Sequence, residues 1–343
     1  MLQEEELKHQ TMRKWIIQKG KSPRVELLNL GARVQRIWAK DRNGVEENIL
    51  LSYAGPEQYE RDNIFLGAVV GPVAGRIPEG RMTAADVEHP LTTNEGRHHL
   101  HGGDGGFGNV YWEADAGEDD QQAWVRFSIH RTDGTDGYPG NVKASVTYIV
   151  EAGGDFTVEY DGESDTDTWF SPTQHMYINL SGNNKRPVTE QHAEIHASEV
   201  LELDRELIPT GKLFSTAGTP FELNGDKPLG EHINSFHEQV RDVAGGIDHF
   251  FILEEGKEPQ ASVWDESSGR QLDIITSAPG AVVYTSNNGP EQDFEAGPKE
   301  KHRGICIETQ QLPVDFAHLG KPTAYLSAKN HFQSSTTLRM NTR

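Results

Sequence analysis

The chain has 343 residues and a formal net charge of −21, from 53 acidic and 32 basic side chains. Such an acidic surface repels phosphate backbones, so nucleic acid is not expected as a partner. Apolar residues make up 35% of the sequence, and none of its apolar stretches approaches the roughly 18–20 residues that span a bilayer. The polar start lacks the apolar run of a signal peptide, and the single cysteine, Cys306, excludes an internal disulfide framework. We therefore expect a cytoplasmic protein with no membrane partner.

The dominant period of the apolar residues is two. In NVKASVTYIV the valines share one face, while Lys143 and Thr147 point to the other, as in a half-buried antiparallel strand. ASVWDESSGRQLDIITS predicts a hairpin that turns at Ser268 and Gly269. Only residues 4–18 carry a helical pattern, and it is weak.

Turn signals such as Asp133-Gly134 and Asn183-Asn184 recur at the close spacing of a large β-sandwich. No change in composition marks a linker, and no repeat has a period of about 20–50 residues. We predict an all-β fold, a large antiparallel β-sandwich with little helix. It would form one domain over residues 1–343, with residues 1–20 as a candidate N-terminal extension.

Three histidines lie within four positions in RHHLHGGDGGFGNVYW. On a strand His99 and His101 would share a face, as in some metal sites, but the third ligand of such a site is missing from the segment that follows. We therefore expect no metal. The two glycines after His101 allow a sharp turn or a close approach to a ligand, which favours His101 at the mouth of a cleft. A histidine with its hydrogen bonds satisfied inside the fold is the alternative.

Two later segments place polar side chains on predicted strands. WFSPTQHMYINLSG sets His175 among polar residues, which fits a lined pocket and a buried, hydrogen-bonded histidine equally well. In GICIETQQLPVDF, Glu308 falls opposite the isoleucines, with Gln310 on its own side. A carboxylate on an apolar strand is desolvated, which raises its pKa toward that of a useful general base. An exposed glutamate on an edge strand would give the same pattern.

Two single charges follow glycines, Arg76 in GPVAGRIPEG and Asp248 in GGIDHFFIL. A lone charged residue is usually a surface residue. A guanidinium, however, offers several donors and a carboxylate accepts from paired hydroxyls, so both side chains would also suit a site for a polyol.

In this order the segments resemble the aldose 1-epimerase (galactose mutarotase) family over nearly the whole chain. NLGARVQRIWAKDRNGVEENILLSY, LTTNEGRHHLHGGDGGFGNVYW and TQHMYINLSG resemble its early blocks, and GIDHFFIL, VVYTSN and CIETQQLPVDFAH its later ones. The resemblance implies a β-sandwich with a sugar cleft and neither a metal nor an organic cofactor. The reaction it implies is exchange of the α- and β-anomers of a free aldose, by ring opening and closure.

Carried over residue by residue, the resemblance implies Glu308 as the catalytic base, acting on the O1 hydroxyl. His175 would be the catalytic acid, acting on the ring oxygen O5. Four further residues would bind the sugar: His101, Arg76, Asp248 and Gln310. The partner would be an aldohexose such as glucose or galactose, with maltose a further candidate. The sequence leaves the choice between monomer and homodimer open.

The chain departs from the family pattern at the rim of the expected pocket. Where the family usually has Gly-Arg-x-x-Asn-Arg, this chain reads GPVAGR, which puts Pro72 and Gly75 in place of an arginine and an asparagine. Ser171 and Gln174 replace two asparagines near His175. The expected acid and base are kept, but a preference for galactose does not follow.

Three other functions remain open. A glycoside hydrolase would also use carboxylates in a β cleft, here Asp248 and Glu308. A non-catalytic sugar-binding module would need no buried glutamate facing a histidine. An epimerase of hexose 6-phosphates would need a cationic clamp for the phosphate, and Pro72 stands where the family usually has an arginine.

Overall fold

The computed structural model describes residues 1–7 and 11–343. Within them, antiparallel strands form three large sheets and four two-stranded ribbons. The chain forms sheets because its apolar residues recur at every second position, which gives each strand one apolar face to bury.

Eight strands of the described chain form the largest sheet. In spatial order they are Glu113–Glu118, Gln122–Arg131, Val142–Glu151, Asp155–Ser164, Phe332–Thr342, Arg270–Thr276, Ala261–Trp264 and His192–Ile195. Val146 and Val150 are fully buried, as their alternation with polar residues predicts. The hairpin predicted around Ser268 and Gly269 is confirmed, since the two strands that flank this turn pair antiparallel.

A second sheet, called here the site sheet, is built from five strands among the described residues. In spatial order they are Pro209–Ser215, Ala197–Leu203, Asp248–Leu253, Gly280–Tyr284 and Cys306–Gln310. The last of these is an edge strand, yet all five of its residues are buried. The backbone preceding it is covered, because Ile305 bridges to Ile178.

The third sheet begins the chain and, in the described part, has the strands Leu2–Glu6, Arg13–Ile17, Arg24–Leu28, Arg33–Lys40 and Glu46–Asn48. The weak helix predicted over residues 4–18 is therefore wrong, although residues 8–10 lie outside the described residues. Trp15 and Ile17 point into the main core, and antiparallel pairing on both sides of their strand outweighs the local helical pattern.

The remaining elements are short. The ribbons pair Val69–Val70 with Thr173–Gln174, Arg76–Ile77 with His99–Leu100, Arg81–Ala84 with Val87–Pro90, and Thr168–Trp169 with Tyr325–Leu326. The helical turns are Pro56–Tyr59, Pro78–Gly80, Phe107–Asn109, Thr135–Gly137, Val188–Glu190, Leu229–Ile233, Glu238–Asp242 and Val314–Leu319. The longest helix over residues 1–7 and 11–343 thus has six residues, and none there has the length and apolar character to cross a bilayer.

The main hydrophobic core lies between the largest sheet and the site sheet. Phe127 and Val146 of the former and Phe251, Val283 and Ile307 of the latter belong to one cluster of buried side chains. The prediction of an all-β sandwich with little helix is therefore confirmed. The organisation of residues 1–343 as one catalytic domain stays a prediction.

A buried ion pair ties the third sheet to the loop that follows it. Arg33 is 1% exposed, and its Nη1 donates to Asp62 Oδ2 at 2.6 Å. The same guanidinium donates to the carbonyl oxygens of Leu30, Leu66 and Gly108. All of its charge-bearing nitrogens are thus satisfied inside the protein, which is the condition for burying an arginine.

Asp62 in turn holds the loop over residues 62–66. Its carboxylate accepts hydrogen bonds from the backbone N–H groups of Ile64 and Leu66. Phe65, between them, adopts a left-handed backbone conformation with φ of 55°. The ion pair therefore fixes the position of the Phe65 ring.

We expect Arg33→Ala to lower the free energy of unfolding by about 3–5 kcal/mol, because it leaves the Asp62 carboxylate buried without its cation. Chemical denaturation monitored by tryptophan fluorescence measures the change. Arg81→Ala is the control, since Arg81 makes only exposed ion pairs, which contribute little. Equal losses in the two variants would contradict the role given to the buried pair.

Candidate active site

A cavity of about 400 Å³ opens against the site sheet. All six residues singled out from the sequence line it: Arg76, His101, His175, Asp248, Glu308 and Gln310. They come from five separate segments of the chain. The two that are farthest apart, Arg76 and Gln310, are separated by 234 positions, so the fold brings distant side chains together. Their roles remain to be argued from the geometry.

Glu308 lies in the middle of the strand Cys306–Gln310, opposite Val282 of the neighbouring strand. It is 4% exposed, so it is not the solvated edge-strand glutamate that the sequence left as an alternative. Burial raises the pKa of Glu308 well above its usual value, and the nearby negative charge of Asp248 raises it further, against an opposing effect of Arg76. The carboxyl group is therefore poised to hold a proton at pH values where an exposed glutamate has lost it.

His175 faces Glu308 across a short gap. Its Nε2 lies 3.6 Å from Glu308 Oε1, and its Nδ1 lies 3.5 Å from Cys306 Sγ. Burial lowers the pKa of His175 to about 4. The backbone is fixed on both sides, because His175 N donates to Ala68 O and Gly67 N donates to His175 O.

Aromatic rings enclose the imidazole. The ring of Tyr177 stacks on His175 with a centroid distance of 4.9 Å, and that of Phe65 lies 6.4 Å away. Tyr284 approaches edge-on at 6.1 Å. These rings keep water from the imidazole, which is why its charged form is disfavoured.

His101 is held in a strained conformation beside this pair. Its φ is 52°, in the left-handed region that residues with a side chain seldom adopt. Its backbone N–H donates to Gly75 O, and its Nδ1 accepts from Gly75 N at 3.1 Å. Burial lowers the pKa of His101 well below its usual value, so the ring is neutral. A neutral imidazole that accepts at Nδ1 carries its proton at Nε2, which makes Nε2 a donor.

The glycine that follows His101 is required by close packing. A Cβ on Gly102 would lie 1.9 Å from Gly71 O. The close approach that Gly102 allows is to the protein's own backbone, and approach of a ligand to these glycines stays a prediction.

Arg76 and Asp248 also line the cavity. Arg76 donates through Nε and Nη2 to the two carboxylate oxygens of Glu95, at 2.7 and 2.9 Å. Burial raises the pKa of Asp248 to about 6, with Arg76 lowering it and Glu95 raising it. The cavity therefore contains two carboxyl groups, Asp248 and Glu308, whose pKa values both lie above their usual range.

Gln310 lies two residues beyond Glu308 on the same strand and is also buried. Its Oε1 has no hydrogen-bond partner among the described residues. An unpaired buried carbonyl is unfavourable, and a ligand hydroxyl is the kind of donor that would satisfy it.

The other two histidines of the HHLH segment make hydrogen bonds within the fold. His99 Nε2 meets the Tyr138 hydroxyl at 2.9 Å, and His99 Nδ1 meets Thr92 O at 2.6 Å. His98 Nδ1 accepts from the backbone of Glu79. Neither ring lines this cavity, and His98 Nε2 has no hydrogen-bond partner among the described residues.

Among the described residues, His175, Cys306 and Glu308 are the one group of three that brings metal-ligating atoms close together. The thiol faces Nδ1 of the imidazole, whereas the carboxylate faces Nε2. One ligand atom from each of the three residues lies within 4.8 Å of the other two. The same closeness of the carboxyl group and the imidazole also suits proton transfer.

Two of the residues that depart from the family pattern, Ser171 and Gln174, make hydrogen bonds within the protein. Gln174 accepts from the Tyr148 hydroxyl at 2.6 Å and donates to Gly67 O, so it lies in the interior and not on the cavity wall. Ser171 donates its backbone N–H to Pro72 O, and its hydroxyl accepts from Gln311 N. These positions shape the backbone around the cavity.

Several residues of the site were not singled out from the sequence: Phe65, Glu95, Tyr177, Tyr284, Asn287 and Asn288. Tyr177 and Tyr284 lie in segments that had been recognised, TQHMYINLSG and VVYTSN, so attention to aromatic residues there would have found them. Glu95 and Phe65 carry no local signal, because their places depend on contacts made by Arg76 and Asp62.

Comparisons with known proteins show the family and the fold of this chain. The sequence model of the family described as aldose 1-epimerase matches residues 13–339. The galactose mutarotase of Sus scrofa is 35% identical over 294 residues, which cover 84% of this chain and 83% of that protein. The maltose epimerase of Levilactobacillus brevis is 27% identical over 315 residues, 91% of this chain and 90% of that protein.

Among solved structures, the galactose 1-epimerase of Lactobacillus acidophilus NCFM superimposes with a TM-score of 0.87 at 25% sequence identity. The superposition covers 100% of this chain and 99% of that one. A match to the family along nearly the whole chain, a relative above 30% identity and the same fold agree with one another. The chain belongs to the aldose 1-epimerase family.

Proposed function

We propose that this protein interconverts the α- and β-anomers of a free aldohexose such as glucose or galactose, with Glu308 as general base and His175 as general acid. The observation that carries the proposal is the distance of 3.6 Å between His175 Nε2 and Glu308 Oε1 inside a cavity. The names of the relatives, galactose mutarotase and maltose epimerase, support an epimerase over a hydrolase or a binding module.

The reaction needs two proton transfers at neighbouring oxygens. One proton leaves the O1 hydroxyl while another reaches the ring oxygen O5, and the C1–O5 bond breaks to give the open aldehyde. Rotation about the C1–C2 bond then exposes either face of the carbonyl, and closure reverses both transfers. Each of the two groups must therefore act as acid and as base in turn.

The buried pair meets this demand by sharing one proton. A low pKa for His175 and a high pKa for Glu308 favour the state with one proton between them, because that state carries no net charge. The shifted pKa values place that proton on Glu308 before reaction. Its transfer to His175 Nε2 leaves the carboxylate free to accept from O1, and the imidazolium then donates to O5. Closure of the ring returns both protons.

Binding of the sugar follows from the remaining groups. His101 Nε2–H is a donor for a sugar oxygen, and Asp248 accepts from paired hydroxyls. Arg76 is the one arginine or lysine that lines the described cavity, and Glu95 already neutralises it. The site thus suits an uncharged sugar better than a sugar phosphate.

We expect Glu308→Gln and His175→Asn each to lower kcat by about 10²–10⁴-fold, since each removes one positioned proton-transfer group. Polarimetry on freshly dissolved α-glucose measures the rate. The matched controls are Glu88→Gln and His89→Asn, on an exposed ribbon away from the cavity, which should retain activity. Thermal unfolding should show that all four variants are folded; a near-normal rate in either cavity variant would refute the assignment.

We expect kcat/KM to follow a bell-shaped pH profile. Below the lowered pKa of His175, about 4, the pair holds two protons and Glu308 cannot accept one from O1. Above the raised pKa of Glu308, the pair holds no proton for O5, so the alkaline limb lies well above the usual pKa of a glutamate.

Asp248→Asn removes a negative charge that raises the pKa of Glu308, so the alkaline limb of the profile should move to lower pH. The position of the limb is independent of the weaker binding that this variant also causes. An alkaline limb that stays in place or moves to higher pH would show that the shared proton does not reside on Glu308.

A further inference from the structure

The charges around the cavity are unequal in number. Three acidic residues line it in the described chain, Asp242, Asp248 and Glu308, whereas Arg76 is its one arginine or lysine. The Arg76 side chain is 19% exposed, so its guanidinium is largely withdrawn from bulk water. A charge in such surroundings acts strongly on a charged ligand, because little solvent screens it. Admission of a charged aldose therefore depends on what holds the Arg76 guanidinium.

Glu95 occupies one edge of that guanidinium. Its two carboxylate oxygens accept from Arg76 Nε at 2.7 Å and from Arg76 Nη2 at 2.9 Å, in the two-point geometry that joins arginine to a carboxylate most specifically. Arg76 Nη1 donates to none of the described residues, which leaves its N–H groups for the neutral hydroxyls of a sugar. Glu95 thus cancels the positive charge that would attract an anionic ligand and leaves donors for an uncharged one.

The backbone fixes Glu95 in this position. Glu95 N donates to His98 O at 3.2 Å, and His98 N donates to Glu95 O at 2.9 Å, which closes a tight turn. The strand His99–Leu100 follows directly and pairs with the strand Arg76–Ile77. One ribbon and its turn therefore position both the guanidinium and the carboxylate before any ligand binds.

Glu95 itself does not line the cavity, and its side chain is 40% exposed. It would therefore act on a bound sugar through Arg76 and through its charge, not by contact. Burial raises the pKa of Asp248, Arg76 lowers it, and the negative charge of Glu95 raises it again. Because Asp248 lines the cavity, the charge of Glu95 is felt inside it.

We propose that Glu95 is a specificity-determining residue, which makes the site reject aldoses that carry a carboxylate and accept neutral ones. The inference rests on the proposed function and deepens it. Glu308 and His175 take O1 and O5 of the sugar, which leaves the groups remote from C1 for Arg76. In a hexuronate the remote C6 carries a carboxylate. Beside an Arg76 whose charge is already cancelled, that carboxylate would be buried without a counter-charge, a cost that a hydroxymethyl group does not have.

The test compares anomer exchange of three sugars that differ only at C6: freshly dissolved glucose, glucuronate and glucuronamide, by polarimetry at pH 7. The amide matches the carboxylate in shape and carries no charge, so the pair separates charge from size. For the wild-type enzyme we expect kcat/KM for glucuronate to lie about tenfold or more below that for glucuronamide.

Glu95→Gln keeps the shape of the side chain and one acceptor for Arg76 but removes the charge. We expect it to raise kcat/KM for glucuronate relative to glucuronamide by about tenfold or more, the equivalent of about 1.4 kcal/mol, and to keep kcat for glucose within about threefold. Glu95→Asp keeps the charge and should keep the wild-type ratio. A merely structural role of Glu95 would change the rates for all three sugars together.

Glu88→Gln is the matched control, since Glu88 is exposed, pairs with Arg81 at 3.1 Å and does not line the cavity. It removes the same unit of charge from a chain whose net charge is −21, so it measures what the overall field contributes. Its ratio of glucuronate to glucuronamide should equal that of the wild type. Should Glu95→Gln fail to fold, Glu95→Ala replaces it with the same expected rise.

The inference is overturned if the wild-type enzyme acts on glucuronate as fast as on glucuronamide, or rejects both equally, which would be exclusion by size. It is also overturned if Glu95→Gln leaves the ratio of the two unchanged or lowers it, or if Glu88→Gln raises that ratio as much. Failure of the wild-type enzyme to accelerate glucose exchange is a different result, which refutes the proposed function itself.

Discussion

The site depends on one constraint: a carboxyl group and an imidazole are buried together, too far from water for either to carry a charge at low cost. Burial is the largest cause that raises the pKa of Glu308 and lowers that of His175, and both shifts favour a single proton shared by the two side chains. A pair of this kind can give a proton to one oxygen of a sugar and take one from the other without a net change of charge. The rings of Tyr177 and Phe65, which exclude water from the imidazole, are therefore part of the chemistry and not only of the packing.

The β-sandwich buries this carboxyl group and this imidazole together, although they come from segments that are distant in the sequence. The covered edge strand of the site sheet carries Glu308, and His175 directly follows the strand Thr173–Gln174 of a ribbon. The buried pair of Arg33 and Asp62 holds the loop that places the Phe65 ring near His101 and His175. The strain at His101 is stored in a turn whose glycine neighbour packs directly on another backbone segment. Rigid strands and pinned loops thus hold the reacting groups in place before a sugar arrives.

Much of the fold and of the candidate site was predictable from the sequence, because strands give a local alternation of apolar and polar residues. The alternation in NVKASVTYIV and the order of the family-like segments predicted the sandwich, and all six candidate residues lie in one cavity. The prediction of a helix over residues 4–18 was wrong. Pairing with the strand Arg24–Leu28 makes this segment a strand, and no local sequence pattern indicates that pairing. The partner of Arg76 and the place of Phe65 were missed for the same reason. Each is created by contacts between segments far apart in the chain.

The most direct measurement is a crystal structure of the enzyme with glucose bound. The account predicts O1 of the sugar within about 3.2 Å of a Glu308 carboxylate oxygen and O5 within the same distance of His175 Nε2, the range in which protons transfer between heavy atoms. It also predicts that the hydroxyls remote from C1 face Arg76 and Gln310. A sugar bound in the opposite sense, with C1 and O5 turned toward Arg76 and away from both Glu308 and His175, would contradict it.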